Sequence, residues 1–190
     1  MAFALSTFKS TLSGGGAKSA LFHVELQFPA ILSGSNPSSP ATASNLLPID
    51  SKFLISAASI PASTVATYDI FYHGKSIKVA ADRIYESTWD TTIINDENFA
   101  IRNAIEEWMS LVSDYKLNIR DTQFGIVEGE NVNYKKELKV VQYGKTGDIL
   151  KSYKFYNAFP TALSPITLDW GASEIEEFTC TWTYDYWLPV

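Results

Sequence analysis

Cysteine is nearly missing from this chain: Cys180 is the only one in 190 residues. No intramolecular disulfide can form, which excludes a stapled secreted scaffold and leaves Cys180 as a small buried hydrophobe. Histidine is almost as scarce, with only His23 and His73. Neither has another His or Cys at ligand spacing, so a zinc site lacks its ligands and a serine triad would have to recruit one of these two. Long apolar runs are missing as well; none approaches the roughly 18 residues of a membrane helix. Positive charge is in deficit, with 15 Lys and Arg against 21 Asp and Glu and a net charge of −6. That balance argues against a protein that grips nucleic-acid phosphates, but not against one that nucleic acid passes without adhering. The opening stretch "MAFALSTFKSTLSGGGAKSA" has its first lysine, Lys9, after the apolar residues, the reverse of a secretory signal. The expectation is a product made in the cytoplasm with no membrane address.

What the chain does have is aromatic and aliphatic mass. Hydrophobic residues make up 46% and aromatics 14%, ample for one folded domain spanning 1–190. The clearest pattern is "EEFTCTWTYDYW" near the C-terminus. Phe178, Cys180, Trp182, Tyr184 and Tyr186 alternate with Thr179, Thr181, Thr183, Asp185 and Trp187. This period of two predicts a strand whose first set is buried, making Phe178, Trp182 and Tyr184 core candidates, with β-branched threonines on the other face.

The same reading organises the rest. Residues 1–20 form an arm, with a short amphipathic helix through Phe3, Leu5, Phe8 and Leu12 ended by Gly14-Gly15-Gly16. "LFHVELQF" alternates as a strand. Residues 33–45, with five serines and two prolines, start a surface loop reaching about residue 50. "KFLISAA" is a second strand. "STVATYDIFYHGK", residues 63–75, is too apolar for a monomer's loop and lacks a clean period; a protruding hairpin or loop that docks on another subunit explains both. "SIKVAADRIYESTWDTTIIN" supplies two further strands, with Trp89, Thr91 and Ile93 on one face. A helix over 96–113, capped by Asn95 or Asp96, places Ile101, Ala104, Ile105, Trp108, Leu111 and Val112 on one side, so Trp108 is a further core candidate. Residues 114–134 read as loop. "ELKVVQY" and "ILKSYKFYNAFP" flank the turn "GKTGD" as a hairpin. About seven strands and one helix make a mainly β fold, a two-sheet sandwich or barrel with the helix packed on it.

No catalytic constellation emerges. "SGGGAKS" departs from a phosphate loop because Ala17 precedes Lys18, and no apolar strand aims it; it reads as a hinge. His23 lies on a polar strand face and His73 precedes Gly74 in a turn, both suited to solvent or partner contact. Glu174, Glu176 and Glu177 form a charged rim where the last strand begins rather than an acid–base pair. Asp82-Arg83 is a possible exposed ion pair of little energetic weight. Lys135, Lys136 and Lys139 enclose Glu137 and suit contact with an acidic neighbour. The expectation is no enzyme and no cofactor.

Taken in order, "STLSGGGAKSALFHVELQFP", "IKVAADRIYESTWDTTIINDENFAIRNAIEEWM", "VVQYGKTGDILKSYKFYNAFPTALSPITLDW" and "IEEFTCTWTYDYW" resemble the tail tube proteins of contractile-tailed, T-even-like bacteriophages. The departures fall at 33–45 and 113–134. The resemblance implies hexameric rings that stack into a hollow tube, a conduit for double-stranded DNA during ejection, in the virion. Implied partners are further copies of the chain, the tail sheath, baseplate proteins, the tape measure protein and the tail terminator. On this basis Val65, Tyr68, Ile70, Phe71 and Tyr72, within 60–80, are candidates for ring-to-ring contact, and Phe3 and Phe8 for reaching a neighbouring subunit. An inner tube protein of a contractile injection or type VI secretion machine is the nearest alternative. A soluble carbohydrate-binding sandwich is a weaker one, since its aromatics would form an exposed platform instead of alternating within strands.

Overall fold

The computed structural model describes residues 5–12, 15–29, 53–116 and 134–190; Phe3, the whole 33–50 loop and residues 117–133 lie outside them. The elements are α1 (Leu5–Thr11), β1 (Phe22–Leu26), β2 (Ile55–Ala58), β3 (Thr64–Tyr72), β4 (Lys75–Ile84) and β5 (Thr88–Ile94). After them come α2 (Ala100–Val112), β6 (Lys136–Tyr143), β7 (Ile149–Leu163), β8 (Glu177–Thr183) and β9 (Tyr186–Pro189). Seven strands join antiparallel in the order β1-β6-β7-β8-β5-β2, with β9 also on β7. β3 and β4 form a separate two-stranded sheet. Among the described residues the expected seven strands are thus nine: residues 64–72 are a full strand, and the C-terminal strand divides.

That division follows from the length of β7. Its first half pairs with β6 and β9, its second half with β8. In between, Asn157 has a left-handed φ of 58°, which asparagine tolerates better than most residues. The extra residue moves the buried position from Phe155 to Ala158 instead of 157, as a bulge does. Opposite this bend the chain breaks at Asp185, whose backbone N–H donates to the Tyr156 carbonyl at 3.1 Å. Its carboxylate accepts from Asn157 Nδ2 at 2.9 Å and from Lys135 Nζ at 3.2 Å. The alternation read through residues 178–186 therefore slips by one: Trp187 is buried and Tyr186 exposed, the reverse of the sequence expectation.

The core lies between the two halves of this bent sheet and under α2. Trp89 opposes Trp182, Thr91 opposes Cys180 and Ile93 opposes Phe178 across β5–β8, so all six point to one side. All are buried, with Trp108 from α2 and Phe155 from β7. Trp89 stacks on Phe155 at 4.4 Å and Trp108 meets Trp182 at 5.8 Å. Two of the buried indoles find acceptors here: Trp182 Nε1 donates to Thr91 Oγ1 and Trp108 Nε1 to the Tyr134 carbonyl, both at 2.9 Å. Each large side chain so buried contributes about 1.5–3 kcal/mol. The helix begins at Ala100, not 96, because residues 96–99 form a turn closed from Phe99 N–H to the Asp96 carbonyl, with Phe99 left-handed at φ 53°. Asp96 still caps, its Oδ1 accepting from Ala100 N–H at 2.9 Å.

Candidate assembly surfaces

The β3–β4 hairpin turns at His73 and Gly74, both with positive φ (44° and 81°), the backbone of a type I′ turn. Register then sorts its side chains. Tyr68 opposes Val79, Ile70 opposes Ile77 and Tyr72 opposes Lys75, while Thr67 opposes Ala80, Asp69 opposes Lys78 and Phe71 opposes Ser76. From Tyr68–Val79 to Tyr72–Lys75 one face is therefore apolar, with Lys75 the one charge in that span. The other is polar, tied by a 3.0 Å Lys78–Asp69 ion pair, and carries Phe71. The five residues singled out in sequence do not share a face: Phe71 lies opposite Tyr68, Ile70 and Tyr72, and Val65 lies beyond a register shift. All five are exposed, Phe71 at 77% and Tyr72 at 65%. Ile77 on β4, exposed at 53%, belongs to the same apolar face as Ile70. Sequence alone does not single it out, because which β4 residue faces Ile70 depends on the register across the His73-Gly74 turn.

Other surfaces are distinct in chemistry. Leu5, Phe8 and Leu12 of the N-terminal arm are all exposed. The outward side of β7–β8–β5 bears Thr161, Thr179, Thr181, Thr183, Thr88, Thr92 and Asp90. These are linked by bonds such as Thr181 Oγ1 to Asp90 Oδ1 at 2.6 Å and Thr183 Oγ1 to Thr161 Oγ1 at 3.2 Å. Among the described residues no Lys or Arg stands on this face. The outward side of β1–β6–β7 is charge-paired instead. His23 and Glu25 meet at 3.0 Å, Lys139 and Glu25 at 3.7 Å, and Lys154 and Glu137 at 2.6 Å. The hydrogen bond from His23 is the main reason the Glu25 carboxyl is held below its ordinary value. Glu137 pushes the Lys154 ammonium up. The lysine cluster thus meets acids of its own chain, Lys135 with Asp185 and Lys139 with Glu25. Arg83 donates to Ser63 Oγ at 2.8 Å. Glu176 accepts from Asn95 Nδ2 at 2.9 Å, locking the entry to β8 onto the exit of β5. Among the described residues no group of three or more His, Cys, Asp or Glu is placed to hold a metal, and no helix is long and apolar enough to cross a membrane.

The phage tail tube protein family matches residues 17–189, nearly the whole described fold. The chain belongs to that family. The tail tube protein gp19 of Enterobacteria phage T4 is 28% identical over 137 residues, covering 71% of this chain and 79% of gp19. Two solved structures share the fold at low identity. The tube-terminating cap of the anti-feeding prophage aligns over 92% of this chain and 91% of its own, with 19% identity and a TM-score of 0.56. A chain of the sheath–tube complex of the extracellular contractile injection system PVC aligns over 100% and 99%, with 14% identity and a TM-score of 0.52. As a phage tail tube protein the chain is a structural component of the virion, a subunit of the tail tube. The tail tube family match includes the hairpin and the threonine face and leaves out α1.

Proposed function

We propose that this chain assembles as hexameric rings that stack into a hollow tube through which double-stranded DNA leaves the virion. The observation that carries the reading is the β3–β4 hairpin, an apolar ribbon whose strands pair with no other described strand and whose large apolar residues are mostly exposed. Exposed apolar surface of this kind marks an interaction site. The stacking contact is assigned to Val65, Tyr68, Ile70, Phe71 and Tyr72, with Phe3 and Phe8 of the arm reaching a neighbouring copy. The tube works with the tail sheath, the baseplate, the tape measure protein and the terminator, and it performs no catalysis. The similar structures, a tube-terminating cap and a chain of a sheath–tube complex, fit these partners.

The threonine face suits the wall that DNA passes. It is polar, carries Asp90 and, among the described residues, no cation, and so neither binds phosphate nor lets the polyanion adhere. Lysine in place of Asp90 is expected to slow ejection. The decisive test is sedimentation velocity with negative-stain microscopy of the purified chain across concentrations, alone and with cognate baseplate and tape measure. Rings or hollow filaments are the expected result. A chain that stays monomeric with baseplate present overturns the reading.

A further inference from the structure

We infer that the loop between β7 and β8, residues 164–176, is a docking knob for a second copy of this chain, and that its occupant is the apolar face of that copy's β3–β4 hairpin. The inference deepens the tube reading and rests on it.

The knob is built, not merely loose. Asp169 Oδ1 accepts from Gly171 N–H at 2.9 Å and the Asp169 carbonyl accepts from Ala172 N–H at 3.1 Å, closing a turn with Trp170 at its tip. Arg102 from α2 braces the loop's start by donating to the Ser164 carbonyl at 3.3 Å. On this turn Trp170 is 106% exposed, with Leu168 at 78% and Ile175 at 75%. No other tryptophan of the chain is left in water: Trp89, Trp108, Trp182 and Trp187 are all buried. A tryptophan held out by a hydrogen-bonded turn is the residue type that dominates contact energies between proteins.

Charge selects the occupant. Residues 164–176 carry Asp169, Glu174 and Glu176 with no Lys or Arg. Near the turn, from Tyr68–Val79 to Tyr72–Lys75, the hairpin's apolar face carries one charge, Lys75, beside Tyr72. An acidic apolar knob and an apolar ribbon with a lysine at its tip complement each other, whereas knob on knob sets acids against acids. The two surfaces are different patches of one chain, so their contact is heterologous. Each copy offers one of each, and the contact propagates into a ring or helical stack instead of closing at a dimer.

The test uses two full-length chains of different tag mass, one carrying Trp170→Cys and the other Tyr72→Cys, mixed before baseplate-nucleated assembly and then oxidised. The native Cys180 is buried and its thiol is pushed up by that burial, so it gives no background. A mixed-mass cross-link in the sedimented tubes is expected. Tubes without that product, or with same-mass products only, overturn the inference while leaving the tube reading intact. If wild-type chains form no tubes under these conditions, the reading fails and the inference fails with it. A charge exchange checks the pair without touching Trp170. Lys75→Glu and Glu174→Lys are each expected to raise the critical concentration about two- to fivefold, and together to restore it. A double variant as poor as the singles also overturns the inference.

Discussion

The β5–β8 ladder and the β3–β4 hairpin are the same device with different covers. Each is an antiparallel ribbon with one apolar face, Trp89, Ile93, Phe178 and Trp182 in the first and Tyr68, Ile70, Ile77 and Val79 in the second. The first face is roofed by Trp108 of α2 and Phe155 of β7 and is fully buried. In the second, Tyr68, Ile70 and Ile77 are exposed and only Val79 is half-buried. Alternation in sequence says that a face needs cover; it does not say whose. In a subunit made for assembly, the uncovered ribbon is the one whose partner is another molecule.

The comparison is broken most strongly at the roofed ribbon. Trp182→Ala removes an indole that packs on Trp108 and donates to Thr91, leaving a cavity and an unpaired threonine hydroxyl. A loss of about 3–5 kcal/mol is expected, read as a fall in the urea midpoint. A loss under about 1 kcal/mol would mean the ladder's face is not the core. The converse variant joins Ile70→Thr and Ile77→Thr on the hairpin. Threonine keeps strand propensity and removes apolar surface, so the urea midpoint of the unassembled chain should move by no more than about 0.5 kcal/mol per site, while tube formation is lost. Unfolding of the unassembled chain by this pair would show that the hairpin's face is covered from within.

How much of this was legible beforehand follows from the same physics. The β5 and β8 faces, the β6–β7 turn and the inward side of α2 were readable because local period and burial agree there. The exchange of Tyr186 and Trp187 was not. It depends on β7 serving two sheet halves and on Asn157 adopting a left-handed φ, a partnership that strand-by-strand alternation cannot reveal. The start of α2 moved for a related reason, since Asp96 caps from one turn earlier than a simple N-cap would. The hairpin's protrusion was readable from its surplus of apolar residues, but its two faces needed the register set by His73-Gly74. Trp170 was passed over because nothing periodic surrounds it, although a tryptophan between Asp169 and Gly171, in a stretch without Lys or Arg, is a signal in its own right.

The smallest effect sharpens the comparison from the outer side of the sheet, where ion pairs replace apolar cover. Glu25 accepts from His23 and faces Lys139, and these contacts hold its carboxyl below the ordinary value of 4.5. A carboxyl depressed on folding contributes stability that is fully present above the unfolded value. That stability is lost as the pH falls through the lower folded value. Because the side chain is 47% exposed, solvent screening limits the pair to under about 1 kcal/mol. Glu25→Gln should therefore lower the urea midpoint slightly at pH 7, and the gap from wild type should close as the pH drops below about 4. A gap that persists at pH 3 would place the contribution of Glu25 in packing against β6 rather than in charge. The outer face would then resemble the roofed ribbon more than its ion pairs suggest.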